Sequence, residues 1–214
     1  MDWKRSIATF RPPNLQRSTN VQSKVTNSWP AIELDEDTFE FANAVFDLAR
    51  AGASQTLGAL LGRGLPPNLR NHRGDSLLML AAYHGHLETV RMLLRHHSDP
   101  DLRNGNGQTP LAGAACKGDL PMIKLLLAYG ADIEGASPDG RTALMLAAMF
   151  NRTRIVEYLV SCGANLHAAD ASGVSAADVA QRMDASKAVA LLQELKSASL
   201  STPGSTHVRP PLAN

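Results

Sequence analysis

Along the middle of the chain, apolar and polar positions recur with a period of 33 residues. Gly74, Gly107, Gly140 and Gly173 mark it, and two positions after each stands a hydroxyl residue: Ser76, Thr109, Thr142 and Ser175. In the same register follow Leu78, Leu111 and Leu144, then Ala81-Ala82, Ala114-Ala115 and Ala147-Ala148, then Leu93-Leu94, Leu126-Leu127 and Leu159-Val160. Self-similarity at a period of this size marks an array of stacked units. Leu60-Leu61 and Gly64 fit the end of an earlier unit with a degenerate start near Asp37. Gly173 to Lys196 forms a fifth, which keeps Leu192 but has Ala177 at the leucine position.

Within one unit the pattern predicts two short helices. Asn104-Gly105-Asn106-Gly107 is a turn signal, because Gly and Asn accept positive φ at low cost. Thr109 predicts an N-cap whose hydroxyl accepts a first-turn N–H, and Pro110 suits the first helical position because it has no N–H to lose. Leu111, Ala114 and Ala115 then share one face at i, i+3, i+4 spacing, the alanines letting helices of adjacent units approach closely. Gly118 ends this helix. Asp119 caps a second, with Pro121 near its start and Ile123, Leu126 and Leu127 as its apolar stripe, and Gly130 stops it. Such a unit is too thin to bury its own leucines. Stacking removes them from water, at about 1.5–3 kcal/mol per side chain.

Gly107-Gln108-Thr109-Pro110-Leu111, Ala114-Ala115, Gly118, Leu126-Leu127 and Gly130-Ala131-Asp132 resemble the ankyrin repeat. Gly140-Arg141-Thr142-Ala143-Leu144 and Gly163-Ala164-Asn165 repeat the pattern, and Gly85-His86 adds the Gly-His pair often found between the two helices. The resemblance covers residues 37–196. It departs at Met79, Ala112 and Met145, where the family often has histidine, and at His97 and Asn151, where it usually has glycine. Both of these last types are enriched among non-glycine residues with positive φ. The resemblance implies an all-α solenoid of about five helix-turn-helix units (37–70, 71–103, 104–136, 137–169 and 170–196), in a short ankyrin-only protein of the kind found in bacteria and fungi.

The same resemblance implies a protein partner held on the concave side, formed by loop tips and the ends of the first helices. The helix-end positions here are Tyr83-His84, Cys116-Lys117 and Met149-Phe150; the loop-tip positions are Arg73, Asp75, Asn106, Gln108, Asp139 and Arg141. Tyr83, Cys116, Met149 and Phe150 predict an apolar and aromatic strip fringed by Arg73, Lys117 and Arg141. Apolar patches with polar rims tend to be contact sites. The competing reading has Tyr83 and Phe150 closing gaps between units. The expected function is a non-enzymatic protein-interaction module, with a chaperone or assembly factor for a subunit of a larger complex as the alternative use of the same surface.

Composition narrows the picture. The chain is 44% hydrophobic but only 5% aromatic, so its core is mostly aliphatic. With 21 Lys plus Arg against 20 Asp plus Glu, its net charge of +1 argues against a nucleic-acid partner. Cys116 and Cys162 are too few for a disulfide scaffold and read as free thiols. The longest apolar run, Ala143 to Phe150, is far short of the roughly 18 residues of a membrane span. A monomer in the cytoplasm is expected, with the nucleus open to a 22.9 kDa chain.

Three stretches imitate reactive chemistry. Gly74-Asp75-Ser76-Leu77 spells the signature of a lipase and esterase family whose serine is the nucleophile, yet Ser76 shares its register with the caps Thr109 and Thr142. His84 and His86 with Cys116 invite zinc, but structural zinc wants four ligands and no second close pair exists. No glycine-rich phosphate loop follows a strand-like run. No catalytic residue, cofactor or metal is therefore assigned.

The flanks differ from the repeats. Residues 1–30 hold Lys4, Arg5, Arg11, Arg17 and Lys24 against Asp2. Arg11, Pro12 and Pro13 interrupt any apolar run, which argues against a secretory signal, while the acid-free stretch 3–32 leaves a mitochondrial leader as the alternative to a disordered arm. Glu33, Asp35, Glu36, Asp37 and Glu40 follow as an acidic stretch. The expected division is 1–36 (arm), 37–196 (repeats) and 197–214, a Ser/Thr/Pro-rich tail read as disordered.

Overall fold

A computed structural model describes residues 36–201, with the side chains of residues 40–198. The expectations for the basic arm, a leader peptide and residues 202–214 lie outside the described residues.

The repeated hydroxyls decide where the first helices begin. Ser76, Thr109 and Thr142 are buried and accept the N–H of Met79, Ala112 and Met145 at 3.0, 3.2 and 3.4 Å. Ser175 makes a reciprocal capping box with Asp178, whose carboxylate accepts the Ser175 N–H at 2.9 Å. These caps open α3 (Leu77–Tyr83), α5 (Pro110–Lys117), α7 (Ala143–Met149) and α9 (Ala176–Arg182). The second helices are α4 (Leu87–Arg95), α6 (Leu120–Ala128), α8 (Thr153–Ser161) and α10 (Ser186–Ser201). Asp119 caps α6 as expected, accepting the Met122 N–H at 3.0 Å. Before them, α1 (Glu36–Ala51) and α2 (Ser54–Gly62) form the degenerate first unit. Two boundaries are wider than the repeat pattern suggests: α1 is 16 residues long, and α10 runs past residue 196 to Ser201.

Positive φ stops each first helix at one register position: Gly52, Gly85, Gly118, Asn151 and Asp184 lie at φ 73, 78, 88, 56 and 53°. His97, closing α4, has φ 62°, so both non-glycine departures adopt the backbone that glycine would, and Asp184 adds a third. In the turn before α5, Gly107 takes the positive φ and Gly105 does not. Gly105 is needed for proximity instead: its N–H donates to Arg73 O at 2.8 Å, and a Cβ there would sit 2.4 Å from that oxygen.

The first helices α1, α3, α5, α7 and α9 pack in chain order, and α2, α4 and α6 line up behind the first three of them, with α8 against α10. Leu77, Leu78, Leu93, Leu111, Leu126, Leu144 and Leu159 are almost wholly buried between them, with Ala81, Ala115, Ala147, Ala148 and Ala180 at the close approaches. A polar ladder also ties the units together. Side-chain oxygens of Asn68, Asp101 and Glu134, spaced 33 residues apart, accept the N–H of Asp99, Asp132 and Asn165 at 2.8, 2.9 and 2.7 Å. Burial pushes the Asp101 carboxyl above its ordinary pKa although the Asp132 N–H opposes the shift.

Candidate functional site

The first helices α3, α5, α7 and α9 each have a loop end and a far end, about 11 Å apart for seven or eight residues at 1.5 Å each. The predicted contact residues divide between these two ends.

At the far end, successive units present Arg50-Ala51, Tyr83-His84, Cys116-Lys117, Met149-Phe150 and Arg182-Met183. The large hydrophobics exposed among the described residues all lie there: Tyr83 at 54%, Phe150 at 45% and Met183 at 54%. Of the residues expected to form the strip, Tyr83 and Phe150 are exposed. Cys116 and Met149 are half-buried, and burial raises the Cys116 thiol pKa. Met183 stands one period after Phe150, in the fifth unit, whose departures such as Ala177 hide the position in the sequence.

Cations are interleaved with these side chains. The Lys117 ammonium lies 3.6 Å from the centroid of the Tyr83 ring and also donates to the Tyr83 carbonyl. A similar bond closes the neighbouring units: His86 Nε2 lies 2.7 Å from Arg50 O, and Arg152 Nε donates to Cys116 O at 3.4 Å. Burial, then the charges of Lys117, His86 and Arg50, hold the His84 imidazole below its usual pKa. No carboxylate occupies either helix-end position in any unit.

At the loop end, Arg73, Asn106 and Gln108 are exposed, but Asp75 is half-buried and engaged. Its carboxylate accepts from Asn71 Nδ2 at 3.3 Å and from Asn104 Nδ2 at 3.2 Å, joining two units. Asp139 and Arg141 pair at 3.1 Å, and the Ser137 hydroxyl donates to Asp139, which together hold that carboxyl below its usual pKa, Ser137 first. A cleft of about 680 Å³ runs between Arg70–Asp75 and Asn104–Asn106.

The reactive look-alikes find structural roles. Ser76 is 2% exposed with its Oγ taken up by the cap, and His86 bonds the preceding unit. The His84 and His86 rings stack 6.2 Å apart, and among the described residues no group of three or more His, Cys, Asp or Glu is placed to hold a metal ion. Cys116 and Cys162 are free thiols. No described helix is long and apolar enough to cross a membrane.

Comparison with known proteins agrees with the periodicity. A family model described as ankyrin repeats, three copies, matches residues 45–136, and a single ankyrin repeat matches residues 139–171. Over 62 residues the chain is 68% identical to a Pseudomonas aeruginosa protein described as an ankyrin repeat protein. That stretch covers 29% of this chain and 36% of the relative, so the match spans about a third of the relative's length. The last unit, α9 and α10, lies beyond the family-model matches yet keeps the register through Gly173, Ser175, Ala180 and Leu192.

Proposed function

The chain belongs to the ankyrin-repeat family, whose repeats are in general protein-interaction modules, and from that premise we propose that it binds a partner protein on its concave face without catalysing a reaction. The observation that carries the reading is the placement of Tyr83, Phe150 and Met183. A core of aliphatic residues leaves three large apolar side chains in water, all at the same end of the first helices. Packing does not require that exposure, and aromatic anchors dominate contact energies. Rigid presentation is the mechanism: helices fixed by caps and stacking lose little further conformational freedom when a partner docks. The exposed loop-tip residues Arg73, Asn106 and Gln108 serve as a polar second patch.

The test separates contact from gap-filling. Partners are captured from cells of the source organism with the parent chain, and the affinity of each is then measured against Tyr83→Ala and Phe150→Ala. Each substitution is expected to weaken binding by about 2 kcal/mol while leaving the melting temperature within a few degrees, as for surface positions. Loss of several kcal/mol of folding stability, the signature of a core truncation, or unchanged affinity, would overturn the reading.

A further inference from the structure

The chemistry of the bound segment can be taken further, on the premise that the far ends of the first helices are the contact edge. Immediately beyond Lys117 and Phe150 the stack opens into a cleft of about 560 Å³ between the starts of α6 and α8. Leu120, Pro121 and Ile155 give it apolar walls, and Arg152 and Arg154 line it with positive charge. The volume falls within the range of pockets that admit whole ligand groups, so an aromatic or large aliphatic side chain fits.

Its charge distinguishes it. The cleft at the loop tips contains Asp75, and the groove between α2 and α4 contains Glu88, itself paired with Arg91 at 3.6 Å. No carboxylate lines the cleft beside Phe150. The neighbouring Asp119 keeps its charge but turns to the preceding unit: its Oδ1 accepts the Met122 N–H at 3.0 Å, and its Oδ2 lies 3.8 Å from where a Cβ on Gly85 would stand. Arg154 is exposed, and Arg152 reaches the Cys116 carbonyl at 3.4 Å. Two guanidinium groups thus stand over an apolar floor, while the Lys117 ammonium is turned to Tyr83 of the preceding unit. The lining itself offers these guanidinium groups no carboxylate, and guanidinium groups favour carboxylates through charge-assisted, bidentate bonds.

We propose that this cleft receives an acidic segment of a partner protein, with a large apolar side chain set against Leu120 and Pro121 beside Phe150 and carboxylates on Arg152 and Arg154. Apolar contact supplies affinity, and the charges supply register and choice of partner.

A random peptide library displayed on phage, panned against the full-length chain and counter-screened on Arg154→Glu, tests this. Selected peptides are expected to combine Asp or Glu with a large apolar residue. Their affinity should fall about tenfold with Arg154→Glu or with Phe150→Ala, and should weaken further as salt rises, while both variants melt like the parent. Peptides that depend on Tyr83 and Phe150 but show no acidic bias overturn the acidic-segment proposal and leave the protein-binding reading standing. Peptides indifferent to Tyr83, Phe150 and Arg154 alike count against both, as does a library that yields no enrichment. Vesicles of phosphatidylserine and phosphatidylcholine provide the last arm: Arg154-dependent binding to them, without such peptides, assigns the cleft to a lipid surface and overturns the proposal.

Discussion

At the loop end of α3, α5, α7 and α9 one chemistry recurs: a glycine at positive φ, then a hydroxyl two positions on that caps the helix, with buried leucine or alanine behind it. At the far end the same helices finish on Tyr83-His84, Cys116-Lys117, Met149-Phe150 and Arg182-Met183, no two pairs alike. Both ends belong to one array and meet the same neighbours. The difference shows what stacking demands. A cap left unmade exposes a buried N–H to no partner, and this is costly at every unit, so the residue type repeats. At the far end Lys117 has such a duty, donating to the Tyr83 carbonyl, but the exposed Phe150 and Met183 side chains cap no helix, and residue type there varies from unit to unit. Repetition within a single chain thus separates the residues that build from those available for recognition.

The sharpest way to break this comparison is to disturb the loop end at two glycines that share a backbone conformation and differ in surroundings. Gly140 has φ 82°, and a Cβ there would meet Ala171 N at 2.9 Å, beside the bond from that N–H to Asp139 O. Gly173 has φ 77° with nothing within 4 Å. Gly173→Ala should therefore show backbone strain alone, about 1 kcal/mol. Gly140→Ala should add overpacking against backbone and reach about 2–3 kcal/mol. Urea melts of both check this. Equal losses would mean that the contact between loop tips of adjacent units contributes nothing to the stack.

A smaller effect compares the two ends directly. Thr109→Val keeps the volume but leaves the Ala112 N–H without its acceptor, and should lower stability by about 1–2 kcal/mol. Met183→Ala removes more atoms from a side chain 54% exposed, yet should change stability by less than about 0.5 kcal/mol. If Met183→Ala proves the more damaging, the far end is structural after all.

The parts of this architecture that were legible in the sequence are those where one residue type recurs: the caps, the alanine pairs, the leucines and the glycine stops. Where different types share one job, the pattern disappears. Asn68, Asp101 and Glu134 have only a side-chain oxygen in common, so the ladder they form between units could not be read from identity. Asn106 and Gln108 look like free loop tips and are exposed, whereas Asp75, at the same register position as Gln108 one period earlier, is tied into both adjoining loops. The cleft beside Phe150 depends on how α6 and α8 sit, which no local spacing encodes. Met183 was within reach, since counting one more period from Phe150 finds it.

The finest distinction lies just past the far end, where Asn151 and Asp184 replace glycine at positive φ. From sequence the two substitutions look equivalent, each tolerating a left-handed conformation at modest cost. The structure gives Asn151 a second duty: its Oδ1 accepts the Ala188 N–H at 2.9 Å, capping α10 of the next unit. Asn151→Gly should therefore relax the backbone but strip that cap, for a net loss of about 0.5–1 kcal/mol. Asp184→Gly removes an exposed side chain and should raise stability by a few tenths of a kcal/mol. Opposite signs in paired denaturant titrations are the expected result. A gain for both would reduce Asn151 to a glycine substitute, and the far end would then join the last two units through packing alone.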